Sequence, residues 1–324
     1  MRGDFDDTAL TGYAVFSESC EGPASPSIRI QGGLHVFYKV NIPEPREPVA
    51  AMVTLNPAES RRLIAKATVA LPEVKAAMKK GWIIIARGVT GAYVSEELFS
   101  IEVNPKSQQT VGIISRGMTN ANNAPPPCTM HVVHDGKVME NADSNVEILN
   151  FGPNDVFIKG ANAVDAQGNA GIMASNIKGG TWGMFTPIIT GRNSHLIITA
   201  GLEKMVPSVW DACAHSGVYY YKWSLGMPAK LTPVVQGKVV TEIQALGVLA
   251  GVNAYHICSG GVGGSEGAVT LSIEGDEAHV KKALDLIVSI KGEPPTSVVD
   301  TYRISDPADY KFDAYEQLAT QWKQ

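Results

Sequence analysis

The chain has 324 residues, of which 44% are hydrophobic and 18% are charged, and its formal net charge is -5. This balance predicts a globular protein of two or three structural units and argues against a nucleic-acid partner, which would need clustered Lys and Arg. No apolar run is long enough to cross a bilayer and residues 1–7 are acidic, so we expect no membrane partner and a cytoplasmic location.

Residues 1–50 are interpreted as an N-terminal extension and linker. They contain a strand-like run at 34–40, followed by prolines at 43, 45 and 48 that do not suit a central strand or a helix interior. A helix is predicted to begin at Asn56, because Asn is a good N-cap, Pro57 suits the first helical position and Glu59 can reach back to the cap. Pro72 opens a second helical stretch.

The apolar run at 82–86 predicts a buried strand that leads into a glycine-containing loop and then a helix at 92–99. This arrangement is typical of a backbone that holds an anion at a helix N-terminus, so Gly88, Thr90 and Gly91 are candidate ligand-binding residues. A plain structural turn explains the same residues equally well, because the spacing fits neither the Walker loop nor the dinucleotide motif.

Cys128, His131, His134 and Asp135 form a metal-like cluster in the region 101–150, which is rich in strands and loops. Strand alternation places the two histidines on opposite faces, which does not suit a convergent tetrahedral site. We therefore expect no metal site and no cofactor. The four cysteines are scattered without a Cys-x-x-Cys pair, which is typical of free thiols.

The segment 154–204 predicts a strand, a loop, a helix and a second strand. The apolar runs at 155–158 and 195–198 each end in a polar turn that contains glycine. Ligand crevices of open α/β sheets lie at the carboxyl ends of the strands, so we expect 159–165, 178–181 and 201–204 to converge on one site.

This predicted site supplies the remaining candidate residues. The catalytic candidates are Asp165 and Glu203 as acid/base groups and Lys178 as a cation that holds an anion or stabilises an oxyanion. The ligand-binding candidates here are Asn162, Gly179, Gly180 and Thr181. Alternative interpretations stay open: Asp165 and Asn162 suit turns, while Lys178 and Glu203 suit solvated surface charges.

The C-terminal third has the order of a ferredoxin-like split unit: a strand at 231–240, a helix at 241–250, strands at 254–258 and 268–273, and a helix at 276–290. The glycine-rich loop at 260–264 suits either a hairpin connection or a phosphate site. We expect an α/β chain with a Rossmann-like parallel-sheet domain at 51–228, a ferredoxin-like α+β domain at 229–305 and a C-terminal docking helix at 306–324.

The stretch Asp155-Val-Phe-Ile-Lys-Gly-Ala-Asn-Ala-Val-Asp165, followed by Ile177-Lys-Gly-Gly180, resembles one superfamily of Rossmann-like proteins. That superfamily unites ribose-5-phosphate isomerase, CoA transferases, the methylthioribose-phosphate isomerase group and the lactate-utilisation (LUD) domain. The resemblance covers roughly residues 56–210 through loosely spaced motifs. It implies that Asp165 and Lys178 contact a sugar while Thr90 and Gly91 hold its phosphate.

This chain departs from the isomerase pattern at two places. Asn162 stands where the isomerase has an acidic residue, and 182–187 lacks the carboxylate that serves there as general base. The asparagine turn is more similar to the LUD-like and initiation-factor-like branches.

We expect a protein that binds an anionic small metabolite, either a sugar phosphate or an acyl-CoA-like molecule, with isomerase or transferase chemistry that needs no metal. The alternative is a non-catalytic protein that senses a ligand or mediates assembly. Ferredoxin-like units often pair through edge strands, so we expect a homo-oligomer in either case.

Overall fold

A computed structural model describes residues 37–115, 117–122 and 130–296. In chain order the described strands are β1 (Val49–Leu55), β2 (Trp82–Ile85), β3 (Gly112–Ser115), β4 (Met118–Ala121), β5 (His131–His134), β6 (Lys137–Val138), β7 (Val156–Gly160), β8 (Ala163–Val164), β9 (Ala170–Ala174), β10 (His195–Thr199), β11 (Lys230–Pro233), β12 (Lys238–Val240), β13 (Asn253–Ser259) and β14 (Val269–Gly275). The described α-helices are α1 (Pro57–Ala70), α2 (Pro72–Lys79), α3 (Val89–Phe99), α4 (Ser144–Glu147), α5 (Gly180–Gly191), α6 (Val209–Ala214), α7 (Glu242–Ala250) and α8 (Glu277–Ile290).

Several predicted features fall outside this range. They are most of the N-terminal extension, Cys128, the docking helix at 306–324 and the part of the ferredoxin-like domain beyond 296. Of the strand predicted at 34–40, the described part forms a single bridge between Phe37 and Val239. None of the described helices is long and apolar enough to cross a membrane.

A six-stranded mixed sheet has the order β12-β10-β7-β2-β5-β6. Its first four strands are parallel to one another, whereas β5 and β6 are antiparallel to their neighbours. The register places Ile158 beside both Ile85 and Ile197. The chain is therefore a mixed α/β protein, and its parallel strands all end at the same edge of the sheet.

Both faces of this sheet are buried, which explains the unbroken apolar runs in its sequence. Along β7, Val156 and Ile158 belong to a core shared with α1, α3 and α7, while Phe157 points into a second core. That second core contains Phe185 of α5, whose ring meets the ring of Phe157 edge to face with the centroids 5.4 Å apart.

The helix that the sequence predicted at Asn56 is confirmed. The Asn56 side chain accepts hydrogen bonds from the amides of Ala58 and Glu59, and the Glu59 carboxylate accepts one from the Asn56 amide, each at 2.9 Å. The second helix, opened by Pro72, and the buried strand at 82–85 are confirmed as well. In contrast, α3 begins at Val89 rather than at 92, because the chain turns at Gly88, whose φ is 152°.

A separate three-stranded antiparallel sheet has the order β1-β14-β13. The predicted strand at 231–240 is divided by a turn at Gln236, whose φ is 61°. Its first part, β11, pairs with β9, and its second part, β12, pairs with β10. Strand pairing thus crosses the predicted boundary at 228 in both directions, because β1 pairs with β14 while β12 joins β10.

Candidate functional site

Each of the four adjacent parallel strands ends in polar side chains at one edge of the six-stranded sheet. Arg87 follows β2, Lys159 is the penultimate residue of β7, Thr199 closes β10, Lys204 lies in the turn after β10 and Glu242 follows β12. We call these five residues the carboxyl edge. Among the described residues, the Arg87 Nε, Thr199 Oγ1 and Glu242 Oε1 atoms are buried without a hydrogen-bond partner. Buried polar atoms are normally paired, so these three atoms leave hydrogen-bonding capacity unused at this edge.

Two lysines occupy the centre of the carboxyl edge. The Lys204 ammonium donates a hydrogen bond to the carbonyl of Ala161 at 3.0 Å, which joins the turn after β10 to the end of β7. Lys159 is partly buried and has no hydrogen-bond acceptor or ion-pair partner within the part of the chain that the structure describes. Burial and then the neighbouring Lys204 ammonium lower the pKa of Lys159 to about 8, and burial also lowers the pKa of Lys204. The two charges therefore repel each other in a poorly solvated place.

The two carboxyl groups near these lysines are in different electrostatic states. Glu203 forms an ion pair with Arg61, with 2.9 Å between Nη2 and Oε1. Glu242 is fully buried and accepts a hydrogen bond from the Leu202 amide at 2.9 Å, and burial raises its pKa. A raised pKa favours the neutral acid, which can donate a proton or a hydrogen bond.

The first turn of α3 also begins at this edge, since α3 directly follows β2. Gly88 provides no side-chain cap, and its amide donates to the Gln109 carbonyl at 2.7 Å. Thr90 and Gly91 lie buried inside the first turn of the helix. A Cβ on Gly91 would lie 2.6 Å from the carbonyl oxygen of Ala86. Glycine is therefore needed at 91 for the close approach of α3 to β2, and the uncapped helix start adds positive potential.

The structure places Asn162 and Asp165 in a hairpin after β7, where both bind the backbone. The Asn162 Oδ1 atom accepts a hydrogen bond from the Met173 amide at 2.9 Å. The Asp165 carboxylate accepts from the amides of Gln167, Asn169 and Val209 and from the Asn169 side chain, at 3.0–3.1 Å. Asp165 is buried with both oxygens bonded, which corresponds to the turn-forming alternative.

The glycine segment predicted before α5, residues 178–181, makes no hydrogen bond to Lys159 or Lys204 among the described residues. Lys178 is exposed and its amide donates to the Asn176 side chain at 2.8 Å, while Gly180 begins the helix and Thr181 lies in its first turn. Gly179 lines a depression of about 460 Å³ together with Tyr219, Tyr220 and Lys230. Among the described residues, hydrogen bonds join 159–165 to 201–206 but none joins 178–181 to either segment.

His131 and His134 have different neighbours. The His131 Nδ1 atom lies 2.7 Å from the Ser95 hydroxyl of α3, and burial lowers the pKa of His131. His134 stacks on Trp82 with 4.0 Å between the ring centroids. Within the described ranges no group of three metal-ligating side chains comes together.

The sequence pattern predicts that 159–165 and 201–204 contribute to the site, but it does not single out the five residues of the carboxyl edge. One pattern in the sequence could have identified three of them: Arg87, Lys159 and Thr199 are each the first polar residue after an apolar run that forms a buried strand. In a parallel sheet such residues stand at the ligand-binding edge. Glu242 could not be predicted in this way, because it reaches the edge only through the pairing of β12 with β10.

Comparisons with protein-family models, with curated proteins and with solved structures gave no match to this chain.

Proposed function

We propose that the carboxyl edge binds an anionic small metabolite, such as a sugar phosphate or an acyl-CoA-like molecule. The observation that carries this proposal is the group of cations Arg87, Lys159 and Lys204 at the ends of three adjacent strands. The two nearby carboxyl groups offset it only in part, since Glu203 is shared between Arg61 and Lys204 and the raised pKa of Glu242 favours its neutral form. A bound anion relieves the repulsion between the lysines and supplies acceptors for Arg87 Nε and Lys159 Nζ.

We extend the proposal to the two structural units that the sequence predicts. We infer that β2, β7, β10 and β12 form a Rossmann-like unit similar to the superfamily of ribose-5-phosphate isomerase, CoA transferases and LUD domains. We also infer a ferredoxin-like unit around β13, β14 and α8. The shared strand direction supports the first inference, and the β13–β14 hairpin followed by a helix supports the second. An experimental structure with a bound phosphate ester would test both.

Isomerase or transferase chemistry is the catalytic form of this proposal. Such reactions need a group that gives or takes a proton at the bound metabolite. Glu242 suits the acid role because its pKa is raised, and Glu203 suits the base role if ligand binding displaces Arg61. Asp165 is less suited to either role, because its carboxylate bonds are all made within the hairpin and to the start of α6.

A thermal-shift panel of sugar phosphates, CoA esters and organic acids tests the binding proposal. A ligand at about 100 times its dissociation constant should stabilise the folded chain by about 2.7 kcal/mol. Lys159→Ala and Lys204→Ala should each reduce that stabilisation, whereas Lys75→Ala on the exposed side of α2 should not. Measuring Lys178→Ala in parallel shows whether the start of α5 contributes. Absence of stabilisation by every anion, or an equal loss in the Lys75 variant, contradicts the proposal.

The assembly that the non-catalytic alternative requires is supported by the exposed edge of the sheet β1-β14-β13. Strand β13 has one neighbouring strand among the described residues and exposes Tyr255 and Ile257. An edge strand with apolar side chains suits pairing with a second copy of the chain. Anion binding without turnover separates ligand sensing from catalysis. A dimer mass in light scattering supports the assembly, and a monomer argues against it.

A further inference from the structure

Lys159 differs from other partly buried lysines of the chain in having no polar partner among the described residues. Lys204 binds a backbone carbonyl, Lys230 binds the carbonyls of Cys213 and Ser216, and Lys106 forms an ion pair with Glu96. Lys159 has no such partner within the described ranges. A lysine that stabilises a fold is normally paired when it is buried, so this amine has no evident structural task.

The surroundings of Lys159 favour a neutral amine. Its strand ends at the same edge as the turn that holds Lys204, and the hydrogen bond to Ala161 keeps the Lys204 ammonium beside the end of β7. A second cation and poor solvation both promote loss of the proton, and this combination activates lysine as a nucleophile. With a pKa of about 8, about 10% of the side chain is neutral at pH 7, against about 0.03% at an ordinary pKa of 10.5.

We propose that the Lys159 amine condenses with the carbonyl group of the bound anionic metabolite to form an imine. This inference rests on the proposed anion site, because Lys204 and Arg87 would hold the charged group while Lys159 reaches the carbonyl carbon. It narrows the ligand class to an anion that carries an aldehyde or a ketone, such as an open-chain sugar phosphate or a 2-oxo acid.

The chemistry balances without an oxidant, a reductant or a metal. The Lys159 ammonium first loses one proton to solvent, and the nitrogen lone pair then forms a bond to the carbonyl carbon while the carbonyl π electrons move to oxygen. Transfer of a proton from nitrogen to oxygen gives the carbinolamine. That hydroxyl takes up a second proton and leaves as water while the carbon–nitrogen double bond forms, so one water is released for each imine.

Reductive trapping of the full-length protein tests this proposal. The protein is incubated at neutral pH with cyanoborohydride and with pyruvate, dihydroxyacetone phosphate or uncharged dihydroxyacetone, and the adducts are located by peptide mass mapping. Cyanoborohydride delivers hydride to the iminium carbon and leaves a stable secondary amine. We expect one main adduct, located on Lys159 and formed at least about tenfold faster than on exposed lysines, because an amine with a pKa of about 8 has a neutral fraction about 300 times larger at pH 7 than one with a pKa of 10.5. A preference for pyruvate indicates a carboxylate ligand, and a preference for dihydroxyacetone phosphate indicates a phosphate ligand.

Three variants make the result decisive. Lys159→Arg retains the positive charge, and Lys159→Met retains an unbranched side chain of similar length. Both variants should lose the main adduct and should retain the far-UV circular dichroism spectrum of the parent. Lys75→Arg should keep the adduct on Lys159. Label spread evenly over exposed lysines, or an unchanged main adduct in Lys159→Arg, overturns the proposal.

Failure of the imine proposal is distinguishable from failure of the anion site. Thermal stabilisation by inorganic phosphate, measured on the parent and on Lys159→Arg, reports anion binding alone. Stabilisation of the parent without any Lys159 adduct overturns imine formation and leaves the anion site standing. Absence of both stabilisation and adduct overturns the two proposals together.

Discussion

At the scale of single residues, Lys159 lowers the stability of the folded chain at neutral pH. Its pKa is lowered to about 8 by burial and by Lys204, so the folded chain binds the proton more weakly than the unfolded chain does. The cost is fully present below pH 8 and disappears as the pH rises to about 10.5, where the unfolded side chain also becomes neutral. A buried charge that lowers stability is expected where function requires it.

Lys159→Met removes this poorly solvated charge. This change should raise the free energy of unfolding at pH 7 by up to about 3 kcal/mol, because the pKa of Lys159 falls from 10.5 to about 8 on folding and a tenfold change in proton affinity corresponds to about 1.4 kcal/mol. The gain should shrink between pH 8 and 10.5. Urea unfolding across this pH range measures it, and Lys75→Met on the exposed side of α2 is the control that should change little. A gain that does not depend on pH would show that repacking, rather than charge, is responsible.

At the scale of elements, the connection between β2 and α3 depends on close backbone contact. The sequence predicted the strand, the glycine loop and the helix that follows, but it placed the helix start three residues too late. Thr90 and Gly91, expected in a loop, lie in the first turn of α3. The chain can enter the helix this early because Gly88 adopts a positive φ and Gly91 has no Cβ to meet Ala86.

Gly91→Ala should therefore lower the free energy of unfolding by about 1–3 kcal/mol, since the added methyl group meets a backbone oxygen that cannot rotate away. Gly112→Ala in β3 is the matched control, because nothing lies within 4 Å of the position that its Cβ would take. Chemical denaturation of both variants measures the difference. Equal stabilities would contradict the described contact between α3 and β2.

At the scale of the whole molecule, the six-stranded sheet and the sheet β1-β14-β13 share one hydrophobic core. Ile158 and Ile197 of the parallel strands belong to the same buried cluster as Leu271 and Ile273 of β14, and helices α1 and α7 contribute to it. The strand β1, which precedes α1 in the chain, pairs with β14 near the other end of the described range. Loss of packing in one sheet should therefore weaken the other.

This shared core predicts a single cooperative unfolding transition. Leu271→Ala removes a fully buried side chain and should lower the free energy of unfolding by about 2–5 kcal/mol. Tryptophan fluorescence and far-UV circular dichroism should report the same lowered midpoint. Ser272→Ala, which changes the neighbouring partly exposed position of β14, should have a small effect. Two separate transitions, of which Leu271→Ala shifts one, would indicate two independent domains.

The sequence by itself determined the local elements: the capping box at Asn56, the apolar runs that form β2, β7 and β10, and the amphipathic pattern of α8. These depend on side chains close together in the chain, so their periodicity and caps are visible without a structure. Only the tertiary structure decided which strands are neighbours, that the run at 231–240 divides between two sheets, and that Arg87, Lys159, Lys204 and Glu242 share one edge. The physical reason is that strand pairing and the desolvation of charges depend on residues distant in the chain, and no local pattern records which of them meet.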